Sequence, residues 1–173
     1  MNLHLLPWID DILNDCAKGK IWKTIDMTNS FFQMPMEPAD IPLMAVSTHF
    51  GLFKWMVMLM GLKNTPVIHQ HQVTAALCKW IGKICHIYLD DIVIWSDTLE
   101  EHHENVCIIL MALREASLYC SPQKTHLSQL EIDFLGHHVL AQGIEANSKK
   151  TGHISQWPQP HSAKAVHQFL GLV

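Results

Sequence analysis

The chain has 173 residues, 49% of them hydrophobic, so it can enclose one apolar core and is not a disordered segment. It carries 12 Lys and Arg against 16 Asp and Glu, with Arg114 as the only arginine, and this balance argues against tight binding of a polyanion by the chain alone. No apolar run approaches the roughly 20 residues that cross a bilayer, which predicts an intracellular protein without a membrane partner.

Five cysteines are scattered along the chain without a CxxC pair. An odd number with no regular spacing excludes a disulfide framework and a zinc knuckle. The sequence therefore predicts reduced thiols, most of them buried.

The first third of the chain predicts a helix, a strand and a hairpin. Apolar residues at helical spacing predict a helix over residues 7–18, which Gly19 ends. Residues 21–27 predict a short strand that carries the lone carboxylate Asp26. Two strand-like arms, residues 45–48 and 54–58, flank Gly51 and predict a hairpin.

The middle of the chain predicts a helix followed by a second hairpin. Asn64 and Pro66 supply a cap and a first-turn proline for a helix that extends to about residue 80. Residues 86–95 read HIYLDDIVIW, in which two β-branched runs meet at a tight turn made by Asp90 and Asp91.

The remaining elements complete a layered fold. Thr98 and Glu101 form a capping-box pattern for a helix to about residue 117. A strand pair is predicted near residues 131–139 and around Ile144, and a last helix over residues 163–170. This order predicts an α+β fold, an antiparallel sheet with two helices packed on one face.

The adjacent carboxylates Asp90 and Asp91 need an explanation. An Asp-Asp pair in a turn is most often ordinary turn chemistry. Here both arms of the hairpin are nearly continuously apolar, so both of its faces should be covered, and two like charges at its tip repel unless a cation neutralises them. If the strand that ends in Asp26 lies beside the hairpin, three acids converge as in a two-metal site for phosphoryl transfer.

Two histidine groups could be mistaken for metal sites. His102 and His103 precede Glu104, and His69 lies two residues before His71, but neither group has the HExxH spacing or a cysteine partner. We expect solvated helix positions there and assign no zinc.

Several segments resemble reverse transcriptases of gypsy-type long-terminal-repeat retrotransposons. Tyr88-Leu89-Asp90-Asp91 resembles the YxDD box of that family. In chain order the other similar segments are residues 23–34 with KLDLRSGYHQI, 50–70 with YGxYEWLVMPFGLxNAPxxFQ, 90–102 with DDILIFSxTxEEHxxHL, 134–144 with FLGHxxxxxGI, and 157–158 and 169–172 with WPxP and FLGL. The boxes occur in the order of the family, which is the basis of the resemblance.

The resemblance implies a reverse-transcriptase palm with an antiparallel ferredoxin-like sheet, helices on one face and fingers largely missing. Residues 1–141 would form the palm with a residual fingers hairpin, and residues 142–173 the start of the thumb or connection. Residues 2–7 resemble the middle of the family pattern YPLPxIDDLL, so we expect the upstream fingers to be absent. A palm without fingers positions a nucleotide poorly, which predicts weak or absent polymerase activity of this chain.

The resemblance also assigns residues. Asp26 and Asp90 would hold two Mg²⁺ ions, with Mn²⁺ as a possible substitute, and Asp91 would assist one of them. Phe31 would be the steric gate against ribonucleotides, although without the resemblance it could equally be a core residue. The full set comprises catalytic Asp26, Asp90 and Asp91; nucleotide-binding Met27, Phe31, Gln33, Gly61, Leu62 and Pro66, with the Met27 carbonyl as a further metal ligand; and Tyr88 and Leu89 on the primer-grip side.

The implied partners are an RNA or DNA template with its primer, deoxynucleoside triphosphates, and the fingers, thumb and RNase H of a polyprotein. The implied location is a cytoplasmic particle or the nucleus. The alternative is a non-catalytic, decayed or co-opted remnant that acts only as a folded interaction module. Scarce Arg beside 13 His and 9 Met is what transitions at CG-containing codons would leave, and it keeps that alternative open.

Overall fold

The computed structural model describes residues 7–171, except for the side chains of residues 126–127 and 148–150. Its helices are α1 (Ile9–Cys16), α2 (Thr65–Leu77), α3 (Leu99–Glu115), α4 (Ser148–Ser155) and α5 (Ala163–Leu170). Its strands are β1 (Ile21–Asp26), β2 (Ala45–Thr48), β3 (Gly51–Lys54), β4 (Cys85–Tyr88), β5 (Asp91–Ser96), β6 (His126–Gln129), β7 (Glu131–Phe134), β8 (His137–Leu140) and β9 (Gly143–Ala146).

The β-branched runs around the paired acids form the centre of a four-stranded antiparallel sheet. Its strand order is β4-β5-β1-β6, so the predicted hairpin of β4 and β5 lies directly beside the strand that ends in Asp26. The five residues after Asp91 in β5 are all buried. Both faces of this strand are therefore covered, as its continuous apolar pattern predicts.

Helices α2 and α3 cover one face of the sheet. Val73 and Leu77 of α2 and Ile109 and Leu113 of α3 pack with Ile25, Ile92 and Ile94 in one buried cluster. Thr98 caps α3 by accepting a hydrogen bond from the Glu101 backbone N–H, as the capping-box pattern predicts. The predicted layer of two helices on one face is confirmed.

The opposite face is covered by α1 and by a second sheet of order β7-β8-β9. Ile12, Leu13 and Cys16 of α1 join Trp22, Val93 and Trp95 of the sheet, and Ile132, Phe134 and Val139 complete this second cluster. Trp22 is fully buried, and its indole N–H donates to the Cys16 carbonyl at 2.8 Å. Sequence patterns did not predict this layer, because the local patterns of α1 and of β7–β9 do not show which face of the central sheet each will cover.

The first hairpin differs from its prediction in the second arm. That arm is β3, at Gly51–Lys54, and residues 55–58 leave the hairpin, with Val57 forming an isolated bridge to Pro35. Gly51, the first residue of β3, has φ +123°, which lets the chain reverse at the start of this arm. Of the predicted arm 54–58 only Lys54 belongs to the strand, so the prediction was wrong for residues 55–58. All eight residues of the hairpin are exposed.

Other boundaries and burials also need correction. Helix α1 is shorter than predicted, α2 ends three residues early, and β6 and α4 were not predicted. The Asn64 side chain makes no capping hydrogen bond. Of the five cysteines only Cys16 and Cys85 are buried, so the prediction that most are buried was wrong. Among residues 7–171 no helix is long and apolar enough to span a bilayer.

The predicted boundary at residue 141 falls between β8 and β9, which pair in one antiparallel sheet. Ile144 of β9 also packs on the buried cluster beneath that sheet. The division into palm and thumb segments stays a prediction, while residues 1–6 and 172–173 lie outside the described part of the chain.

Candidate active site

Strand register brings two carboxylates to one edge of the central sheet. β1 ends at Asp26 and the antiparallel β5 begins at Asp91, and these two residues are directly opposite each other. Opposite residues of antiparallel strands have Cβ atoms roughly 4.5–5.5 Å apart, so their side chains are near neighbours. The lone carboxylate and the paired carboxylates of the sequence are thus brought together, as predicted.

The third carboxylate lies at the tip of the β4–β5 hairpin. Tyr88 pairs with Asp91, which leaves Leu89 and Asp90 as a two-residue loop. Leu89 has φ +53°, a left-handed conformation that is unfavourable for a branched residue. The side-chain oxygen of Gln70 accepts a hydrogen bond from the Leu89 N–H at 2.8 Å, so α2 supports the strained tip.

The backbone and side chain of Asp90 are both anchored. Its carbonyl accepts a hydrogen bond from the Met27 N–H at 3.1 Å, which joins the hairpin tip to the residue after β1. Its carboxylate oxygen Oδ1 accepts a hydrogen bond from the Ser30 hydroxyl at 2.7 Å and lies 3.8 Å from Nδ1 of His69. All three carboxylates therefore occupy a small region at one sheet edge.

The site has an excess of negative charge. Partial burial of the Asp91 carboxyl, followed by the charges of Asp26 and Asp90, raises its pKa, although much of the residue is open to solvent. Lys124 opposes this increase, and its Nζ lies 3.3 Å from both carboxylate oxygens of Asp26. The three carboxylates carry a formal charge of −3, and the exposed Lys124 ammonium contributes only +1.

These residues fit a divalent cation by their chemistry. Carboxylate oxygens are the ligands that hard divalent cations prefer, and the Lys124 ammonium already occupies a cation position beside Asp26. Among residues 7–171, no three His, Cys, Asp or Glu side chains are arranged as a formed metal site.

The residues that the resemblance assigns to nucleotide binding fall into two groups, of which the first comprises Met27, Phe31 and Gln33. Met27 is buried, and the half-buried ring of Phe31 contacts the His69 ring edge-on, with centroids 5.3 Å apart. The Gln33 amide donates to the carbonyls of Thr28 and Tyr119, and its oxygen accepts from the Tyr119 N–H. Gln33 thus joins two backbone segments beside the acids, and its role in nucleotide binding stays a prediction.

Gly61, Leu62 and Pro66 lie in the loop before α2 and in its first turn. Gly61 has φ +92°, and a Cβ atom there would contact nothing within 4 Å. Leu62 lines a cavity of about 520 Å³ between this loop and residues 35–44. A separate cavity of about 380 Å³ contacts Asp26, Asp91 and Lys124. The assignment of the loop residues to nucleotide binding stays a prediction.

Sequence patterns missed the burial of two histidines and the position of Lys124. His69 and His102 were predicted to be solvated, but both are fully buried, and His102 lies next to Ser96. His69 lies four residues before Val73 on the buried face of α2, which also carries polar residues, so helical spacing alone does not show its burial. No sequence signal places Lys124, which is 98 residues from Asp26.

Comparison with known proteins identifies the family. Residues 2–139 match the family described as reverse transcriptase (RNA-dependent DNA polymerase). The Retrovirus-related Pol polyprotein from transposon opus of Drosophila melanogaster is 36% identical over 96% of this chain and 17% of the polyprotein. The corresponding polyprotein from transposon gypsy is 29% identical over 96% and 16%. The chain therefore spans about a sixth of the length of these relatives.

A solved structure supports the fold. The foamy viral protease-reverse transcriptase in complex with double-stranded DNA superposes with a TM-score of 0.90 at 24% identity, over 99% of this chain and 30% of that chain. This likeness confirms the predicted fold class, and the family uses divalent metals in general. The chain belongs to the reverse transcriptase family, as a domain of the kind found in retrotransposon polyproteins.

Proposed function

We propose that this chain is the palm of an RNA-directed DNA polymerase, in which Asp26, Asp90 and Asp91 bind two Mg²⁺ ions for template-directed nucleotidyl transfer. The observation that carries the proposal is the register of β1 and β5, which sets Asp26 opposite Asp91 with Asp90 at the adjoining tip. Ordinary turn chemistry does not explain a third acid on a neighbouring strand.

The residues of the chain have distinct roles in this proposal. Asp26 and Asp90 hold the cations, the carbonyl of Met27 adds an oxygen ligand, and Asp91 assists one of the ions. The chemistry that bound cations would supply is activation of the primer 3′-hydroxyl and stabilisation of the leaving pyrophosphate. A cation would also favour the ionised form of Asp91, whose pKa is raised by partial burial and by the charges of Asp26 and Asp90. Phe31 restricts the space beside the acids and excludes a ribose 2′-hydroxyl.

The proposed partners are a primer annealed to RNA or DNA and deoxynucleoside triphosphates, with fingers, thumb and RNase H supplied by a longer polyprotein. A foamy viral relative bound to an RNA/DNA hybrid supports a nucleic-acid partner. The chain has 12 Lys and Arg against 16 Asp and Glu, with one arginine, so we expect the chain alone to bind such a duplex weakly, because phosphate contacts supply most of the affinity. The proposed location is a cytoplasmic particle or the nucleus.

Metal-dependent binding of a primer–template duplex tests the proposal. The 173-residue chain is titrated with Mn²⁺ and with Mg²⁺, in the absence and presence of the duplex. We expect binding of metal to weaken at least tenfold in Asp26→Asn and in Asp90→Asn. Asp97→Asn is the matched control, because Asp97 is an exposed acid just beyond the other end of β5. Equal metal binding by all four proteins would contradict the proposal and favour the non-catalytic interaction module.

Primer extension is a second and independent measurement. We expect little extension by the purified chain, because positioning of the nucleotide supplies much of the rate in phosphoryl transfer. Robust extension that Asp90→Asn abolishes would contradict the expectation of weak activity while supporting the assigned acids.

A further inference from the structure

The imidazole of His69 is a buried polar group without an evident role. It is fully buried in α2, and neither ring nitrogen has a hydrogen-bond partner within residues 7–171. A buried donor or acceptor left unpaired destabilises the folded state. Nδ1 nevertheless faces Oδ1 of Asp90 at 3.8 Å, and the ring packs edge-on against Phe31. The unpaired nitrogen is thus directed at a carboxylate of the candidate active site.

A second donor approaches the same oxygen atom. Ser30 is 2% exposed, and its hydroxyl donates to Oδ1 of Asp90 at 2.7 Å. Oδ2 of Asp90 accepts no hydrogen bond from the described residues 7–171. The two protein donors therefore lie on one side of the carboxylate and leave its other oxygen available. The gypsy-type pattern has Gly at the position of Ser30 and Phe at that of His69, so neither donor belongs to that pattern.

We propose that His69, as its neutral Nδ1–H tautomer, is a positioning residue that together with Ser30 holds Oδ1 of Asp90 and directs Oδ2 towards the bound cation. The inference rests on the proposed function, because it assigns a ligand-orienting role within the same site. Carboxylates that bind metals are commonly oriented in this way by hydrogen bonds from residues that do not touch the metal.

The geometry requires only a small adjustment. A hydrogen bond to an oxygen needs a distance of about 3.0 Å between the heavy atoms, so the gap between Nδ1 and Oδ1 must close by roughly 0.8 Å. Asp90 is at the hairpin tip and its side chain is 43% exposed, which leaves it room to rotate about its Cβ–Cγ bond. Burial lowers the pKa of His69, an effect that the Asp90 charge partly opposes.

Nitrogen NMR of the histidines tests the contact without any metal. In the ¹⁵N-labelled 173-residue chain, we expect His69 to show the pattern of the Nδ1–H tautomer. Its resonances should shift in Asp90→Asn, while those of the exposed His103 should not. An Nε2–H tautomer, or no response of His69 to Asp90→Asn, would overturn the proposal. This measurement does not depend on whether the chain binds a cation.

Mn²⁺ affinity, measured by electron paramagnetic resonance of the free ion, tests the consequence. We expect His69→Phe, which keeps a ring against Phe31, to bind Mn²⁺ about tenfold more weakly or worse. His69→Asn keeps a donor near the Nδ1 position and should remain within about threefold of the parent chain. His103→Phe is the control for loss of an imidazole elsewhere, and thermal unfolding checks that each variant is folded.

The outcomes separate this inference from the proposed function. Equal Mn²⁺ affinity of His69→Phe and the parent chain would overturn the positioning role and leave the three acids assigned. If the parent chain binds no Mn²⁺, the proposed function fails, and the tautomer of His69 still decides whether the ring contacts Asp90.

Discussion

The amide of Gln70 connects α2 to the hairpin tip, and we predict that Gln70→Leu destabilises the protein by loosening this tip. Its oxygen accepts the Leu89 N–H at 2.8 Å, while its nitrogen donates to the Ile87 carbonyl at 3.4 Å and to the Thr74 hydroxyl at 3.3 Å. Leucine keeps nearly the same volume and removes all three bonds. The variant therefore tests the hydrogen bonds and not the packing.

The expected magnitude follows from the strongest of these bonds. An unpaired buried donor costs about 1–3 kcal/mol, and the Leu89 N–H is only partly buried, so the lower half of this range applies. The other two bonds are long and add little. We therefore expect a loss of about 1.5 kcal/mol, which lowers the Tm of a protein of this size by roughly 3–6 °C.

The assay is urea unfolding monitored by circular dichroism. A lower midpoint at an unchanged slope of unfolding free energy against urea concentration reports a change in stability alone. Gln72→Leu is the matched control, since Gln72 lies in the same helix with an exposed side chain and should change stability by less than about 0.5 kcal/mol. Equal effects of the two substitutions would refute the reasoning. If Gln70→Leu loses Mn²⁺ binding and Gln72→Leu does not, the Gln70 hydrogen bonds also hold Asp90 in position.

Two further predictions concern other parts of the fold. In Gly19→Ala the new Cβ would lie 2.7 Å from Cβ of Trp95, so we expect thermal unfolding to show a loss of about 1–3 kcal/mol of stability. Gly152→Ala is the control, because a Cβ at Gly152 has open space around it and should not destabilise the protein. Equal Tm values for the two variants would contradict this prediction. The hydrogen bond that protonated His138 donates from Nδ1 to the Asp133 carboxylate raises the pKa of His138, so this stabilisation is present below pH 6.5 and lost as pH rises through the folded-state value. His138→Ala should therefore lower the urea midpoint at pH 5.5 but not at pH 8.5, and the same decrease at both pH values would contradict the assignment.

Much of the central sheet could be predicted from local patterns. The runs of β-branched residues on both sides of Asp90 and Asp91 predict the β4–β5 hairpin, which is observed, but the loop consists of Leu89 and Asp90, one residue before the predicted turn, because Asp91 already pairs with Tyr88. The same approach failed for residues 55–58, which are apolar enough for a strand but leave the hairpin. Periodicity reports how a segment can be buried and not which neighbour it pairs with.

The environment of the candidate site was less predictable. His69 was expected to be solvated, and its position four residues before Val73 only becomes informative once α2 is known to pack on the sheet. Ser30 and Lys124 approach Asp90 and Asp26 from positions 60 and 98 residues away in the chain. Contacts of this separation carry no periodic signal, because they depend on how whole elements pack.

The sequence by itself determined the family and the order of the main elements and predicted the three acids as site residues, because these depend on local patterns and on boxes that occur in a set order. Only the tertiary structure decided that Asp26 is opposite Asp91 and that α1 and β7–β9 cover the other face of the central sheet. It also decided that His69 of α2 faces Asp90. Strand register and helix packing arise from the burial of many side chains at once, and a one-residue shift of β1 against β5 would separate the acids without changing any local pattern.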